Sequence, residues 1–118
     1  MVNTTQNLPK AVQDCHELLL WLIPQLDKFP RVRRFTLGER LESGILAVLE
    51  LIVEAAYRKD KLALLRAANR KLAVVRHLWR LAYELQVIPV KRFKHGAQLL
   101  DGLGSQIGAW QKTQLDAT

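Results

Sequence analysis

The chain has 118 residues, 49% of them hydrophobic and 25% charged, the balance of one folded domain rather than of a low-complexity, collagen-like or disordered chain. Eighteen Lys and Arg against eleven Asp and Glu give a formal charge of +7, which favours polyanionic partners such as nucleic acid or an anionic membrane surface. A lone cysteine, Cys15, excludes an internal disulfide; with a polar start and no apolar run long enough to span a bilayer, a cytoplasmic protein without a membrane partner is expected.

Residues 1–8 read as a flexible tail. From Pro9 to about Lys28, Val12, Cys15, Leu19, Leu22 and Leu26 recur at spacings of three and four, which predicts an amphipathic helix with proline in its first turn. Pro24 should kink this helix or tighten its end, and Phe29-Pro30 should stop it. Thr36-Leu37-Gly38-Glu39 has capping-box spacing, so a second helix is expected to start there, with Leu41, Ile45, Leu49, Ile52 and Ala56 as its apolar stripe. Arg58 and Lys59 fall in its expected last turn, where cations favour the helix dipole. Asp60 is the expected N-cap of a third helix, which meets no Gly or Pro before Val87-Ile88-Pro89. Its inner face should carry Leu65, Ala68, Leu72, Val75, Trp79 and Ala82. A fourth helix is expected from Pro89 to about Lys112, with Phe93, Ala97, Leu100, Leu103 or Gly104, Ile107 and Trp110 or Gln111 inward, and 113–118 as a second flexible tail. The expected fold class is all-α, an antiparallel up-down-up-down four-helix bundle over residues 9–112.

Groups that carry catalysis are scarce. Cys15 and His16 are neighbours on a helix, about 100° apart, and do not make a nucleophile–base pair by themselves. His16, His77 and His95 lack the spacing of a metal site. Glu50 and Glu54 share a face, but carboxylate metal sites in bundles also use Glu-x-x-His, which does not occur; an ion-pair face is the simpler reading. No catalytic residue, metal or cofactor is expected. GLGSQIG (102–108) has the glycines of a phosphate loop without a preceding strand or a Walker lysine. Gly104 and Gly108, four apart, fit close helix packing instead, within the bundle or against another subunit. Trp21, Trp79 and Trp110 read as core, each also open to an oligomer-interface reading, Trp110 beside those glycines above all.

The charge is uneven. Between residues 31 and 94 stand fifteen Lys or Arg against six Asp or Glu. LLRAANRKLAVVRHLWR (64–80) carries five positive charges and no negative one, and Arg66, Arg70, Arg76, His77 and Arg80 fall opposite its apolar face. Only Arg80 has an acidic residue one turn away, Glu84. Arginine over lysine suits bidentate phosphate contact, so these five, with Arg58 and Lys59, are the candidate nucleic-acid-binding residues. A solvated helix face, or an adaptor surface for an acidic protein, is the alternative.

KFPRVRRFTLGERLE (28–42), RLAYELQVI (80–88) and GSQIGAWQK (104–112) together resemble Avd, the accessory variability determinants of diversity-generating retroelements. More broadly they are similar to the four-helix-bundle family that includes proteins encoded in ribosomal-RNA intervening sequences. The resemblance runs from about Leu8 to Lys112. It implies a ring-shaped homo-oligomer, a pentamer, with a positively charged funnel-like surface, and no catalytic activity. It also implies binding to template RNA or an RNA/DNA hybrid, and association with the retroelement's reverse transcriptase in mutagenic homing. Relatives often carry paired glycines before the final tryptophan; here Ala109 takes the second place. No motif marks a residue for the polymerase. Within the family, an intervening-sequence-type RNA-binding protein is the alternative.

Overall fold

The computed structural model describes residues 8–117; the expected N-terminal tail lies outside them except for Leu8. Among the described residues all regular structure is helical. The elements are α1 (Lys10–Leu26), a single turn α2 (Arg31–Arg33), a π-helical turn (Arg34–Gly38), α3 (Glu39–Tyr57), α4 (Leu62–Glu84) and α5 (Val90–Asp116).

α1 and α4 each pack against both α3 and α5, so the four long helices close a four-helix bundle with α1 and α4 on opposite corners. The six inward positions expected of α4 are all buried, as are the five expected of α1. Trp21 and Trp79 meet edge to face at 6.0 Å across the middle of the bundle. Trp79 is 1% exposed and donates its indole N–H to the Phe93 carbonyl at 3.0 Å, so its polar atom is satisfied inside the core. Trp21 and Trp110 are half-buried against the same core.

Several boundaries differ from expectation, each for a local reason. α1 continues through Pro24, which sits on its exposed side, and ends two residues later. The capping box does not form. Pro30 already starts the second helical run, its carbonyl accepting from the Arg33 and Arg34 N–H groups at 2.8 Å, so Thr36 is inside a helix when reached. Its hydroxyl then donates back to the Val32 carbonyl at 2.9 Å. In α3 the buried stripe is Leu41, Ile45, Val48, Ile52 and Ala55, leaving Leu49 and Ala56 half-buried. α3 ends at Tyr57, so Arg58 and Lys59 lie beyond its last turn. The cation that closes its C-terminus is Lys61, whose ammonium donates to the Ala55 and Arg58 carbonyls at 2.7 and 2.6 Å. Lys61, not Asp60, is the N-cap of α4, without a side-chain capping bond. α5 runs on to Asp116, because Thr113 to Asp116 contains neither glycine nor proline to stop it.

α4 ends in a Schellman motif. The Val87 N–H donates to the Ala82 carbonyl and the Gln86 N–H to the Tyr83 carbonyl, both at 2.9 Å. Gln86 takes the left-handed position at φ 63°, where glycine is the usual occupant.

The close backbone approaches are at Gly44 and Gly96. A Cβ at Gly44 would lie 2.6 Å from a Val75 methyl, and one at Gly96 2.5 Å from the Trp79 ring. Gly104 and Gly108 are not close-packed within the chain. A Cβ at Gly104 would make an ordinary 3.5 Å contact with Leu72, and one at Gly108 would meet nothing within 4 Å.

Candidate nucleic-acid interface

α4 turns its outer face to solvent because its inner face is committed to α3 and α5. Arg66, Arg70, Arg76, His77 and Arg80 are all exposed on it. At 1.5 Å rise per residue, the side chains from Arg66 to Arg80 span roughly 21 Å along one helix. Arg58 and Lys59 are exposed in the turn that leads into the N-terminal end of α4, and Arg58 pairs with Glu54 at 3.1 Å.

The face is not uniform. Among the described residues, Arg66, Arg70 and Lys71 have no ion-pair partner. Arg80 pairs with Glu84 at 2.8 Å, and this hydrogen bond, with the attraction of the carboxylate charge, raises the pKa of a group already always charged. Arg76 pairs across helices with Asp101 of α5 at 2.5 Å. Sequence spacing hid that second pair, because helix-periodic rules reach only residues within a turn. Its members are 50% and 62% exposed, so it constrains Arg76 without removing it from solvent.

Between α4 and α5 the surface dips into a groove of about 360 Å³, with Trp79 and Phe93 at its apolar wall, Arg76, His77 and Arg80 along its α4 side, and Asp101 on the α5 side. Phe93 stacks on Tyr83 at 4.3 Å and 13°, which fixes its ring plane. Neither the groove nor this stack was marked by local sequence pattern.

The residues with nucleophilic or ligand chemistry stay apart. Cys15 is fully buried, and burial pushes its thiol pKa up to about 12. His16 is exposed, and His95 lies edge-on to Trp21 at 4.8 Å. Glu54 is taken by Arg58. Among the described residues no three of His, Cys, Asp and Glu gather as a metal-binding group. None of the helices described is long and apolar enough to cross a membrane.

Over residues 10–114, from the start of α1 to the last turn of α5, the sequence matches one protein family. The chain belongs to the bAvd-like family. Avd-like proteins are accessory proteins of diversity-generating retroelements and are not known as enzymes. No curated protein matches the chain.

Proposed function

We propose that this bAvd-like protein is a nucleic-acid-binding accessory subunit that associates with the reverse transcriptase of a diversity-generating retroelement and holds its template RNA, or the RNA/DNA hybrid, during mutagenic homing. The observation that carries the reading is the outer face of α4, where Arg66 and Arg70 stand exposed with no carboxylate partner among the described residues. Arginines on a rigid helix, free to make bidentate bonds, suit phosphate oxygens and position a nucleic acid without reading its sequence.

Ring assembly is part of the proposal. Copies of one basic face arranged around an axis would multiply weak contacts into avidity. Val74, 54% exposed where α4 borders Arg40, Ser43 and Ala47 of α3, and the open surface at Gly108, are where copies would meet. Trp110, two residues further and thus on the other flank of α5, is half-buried against the core rather than on that surface. Light scattering reads the copy number, and Val74→Glu is expected to lower it; an unchanged mass would place the contact elsewhere.

Titration of a structured RNA across a salt series tests the interface. Arg66→Glu with Arg70→Glu should weaken binding and lower the slope of log affinity against log salt by about two, one per lost phosphate contact. Unchanged slope with an intact far-ultraviolet spectrum would mean that α4 does not carry the contact. Capture of the tagged chain from native lysate, with and without RNase, reads the polymerase: a co-purifying reverse transcriptase is expected, and its absence in both arms would remove it as a partner.

A further inference from the structure

The groove between α4 and α5 differs chemically from the rest of the basic face, because it joins an apolar aromatic wall to a cationic edge. We infer that it takes one unstacked base of a single-stranded nucleic acid whose phosphates lie on Arg76 and Arg80. The inference rests on the nucleic-acid reading above and adds to it the form of the strand.

The groove exists because both walls are lined by small side chains. Ala73 on α4 and Ala97 on α5 face it, and Gly96 lets the α5 backbone come down onto the Trp79 ring. Its volume of about 360 Å³ is at the small end for ligand sites, room for one planar ring system rather than a folded chain. Phe93 supplies the surface on which such a ring stacks, and Tyr83 already holds it in plane at 4.3 Å, so little side-chain freedom remains to be lost on binding.

Charge then orients the guest. Arg76 and Arg80 each present several N–H donors, of which the carboxylates of Asp101 and Glu84 occupy only some. Asp101 is the sole acidic residue among those lining the groove. It repels phosphate from the α5 side and leaves the α4 side for the backbone, so that the base rather than the phosphate turns inward. A base inside a duplex cannot reach such a wall without leaving its stack, which commits the site to single-stranded segments, loops or ends.

The test is fluorescence anisotropy with oligo(rU) and with an abasic ribose-phosphate chain of the same length, the two sharing their charge. The native protein should bind oligo(rU) about tenfold more tightly than the abasic chain, the contribution of one stacked base. Phe93→Leu should close that gap while the affinity for the abasic chain and the salt slope persist. If this variant loses its fold, Ala73→Leu, at a solvent-exposed position on the lip, fills the groove instead and should close the same gap. Equal binding of the two chains by the native protein, or a gap that survives Phe93→Leu in a folded protein, would overturn the groove and leave the basic face standing. Failure of the native protein to bind either chain would overturn both readings together.

Discussion

Gly96→Ala and Gly102→Ala should move stability in opposite directions, although both replace glycine by alanine inside α5. Alanine is favoured over glycine in a helix interior by about 1 kcal/mol. At Gly102 nothing lies within 4 Å of the added Cβ, so that gain should appear nearly whole, as about 0.5–1 kcal/mol of stabilisation. At Gly96 the Cβ would stand 2.5, 2.6 and 2.8 Å from three atoms of the Trp79 indole. The ring is a rigid bicycle, 1% exposed, and tied to the Phe93 carbonyl, so it cannot swing aside as a flexible side chain would. Forcing it or α5 outward carries the usual overpacking cost of about 1–3 kcal/mol, and loss of the indole hydrogen bond adds about 1 kcal/mol. The net for Gly96→Ala is a destabilisation of about 1–3 kcal/mol, roughly 4–12 °C in Tm for a domain this size. Urea denaturation followed by circular dichroism, at one fixed protein concentration, measures both variants. A Gly96→Ala protein as stable as the native one would mean that α5 does not approach Trp79 as described.

Gln86 occupies a left-handed position at φ 63°, so Gln86→Gly should stabilise by about 0.5–1 kcal/mol, read as a raised urea midpoint with an unchanged m-value. A lowered midpoint would mean that the Gln86 side chain does more than occupy the turn. Cys15 should resist thiol reagents at pH 8 in the folded protein and react once urea unfolds it; labelling at the rate of a free thiol without denaturant would contradict its burial. Its folded pKa of about 12 lies above the ordinary 9.0 of the unfolded chain. The unfolded state therefore loses its proton first, and the Cys15 contribution is full below pH 9 and falls as pH rises toward 12. Cys15→Ala should flatten that part of the stability profile; an identical slope in both proteins would assign the decline to other groups.

The inner face of α4 was legible because its 3.6-residue period runs for 23 residues without a breaker, and polar residues separate the apolar ones. α3 was legible as a helix and in its inward Leu41, Ile45 and Ile52, but not at the two positions between and after them. From Ile45 to Ala56 only Glu50 and Glu54 interrupt the apolar residues, so Val48 and Leu49, or Ala55 and Ala56, are equally good local choices. Packing against α1 and α4 makes the choice. The Thr36 capping box misled because it is a local pattern, and Pro30 had already started the helical run. The paired glycines at 104 and 108 drew attention from Gly96, yet Gly96 lies at the head of the buried series Gly96, Leu100, Leu103 and Ile107. A glycine on the inward stripe, where a large side chain would otherwise sit, is the signal that marks a close approach. At the candidate interface the exposure of the five basic positions on α4 followed from the period. The pairing of Arg76 with Asp101 could not, since it depends on how two helices are set side by side.

That pairing divides the basic face into two halves with different chemistry. Toward the N-terminal end of α4, Arg66 and Arg70 have no acidic partner among the described residues, so a phosphate approaching them displaces only water and counterions. Toward the C-terminal end, Arg76 and Arg80 are each held by an exposed carboxylate, and a phosphate there competes with Asp101 or Glu84. Exposed pairs of this kind contribute little, because water screens them, so competition weakens the contact without preventing it. Binding at the paired half therefore gains less from charge and needs a second source of affinity, which the aromatic wall beside it would supply. On this account the charge of the unpaired half governs attraction and salt dependence, and the paired half governs whether the strand is single. The two dependences should be separable by substitution, with Arg66 and Arg70 moving the salt slope and Phe93 moving the preference for a chain that carries bases.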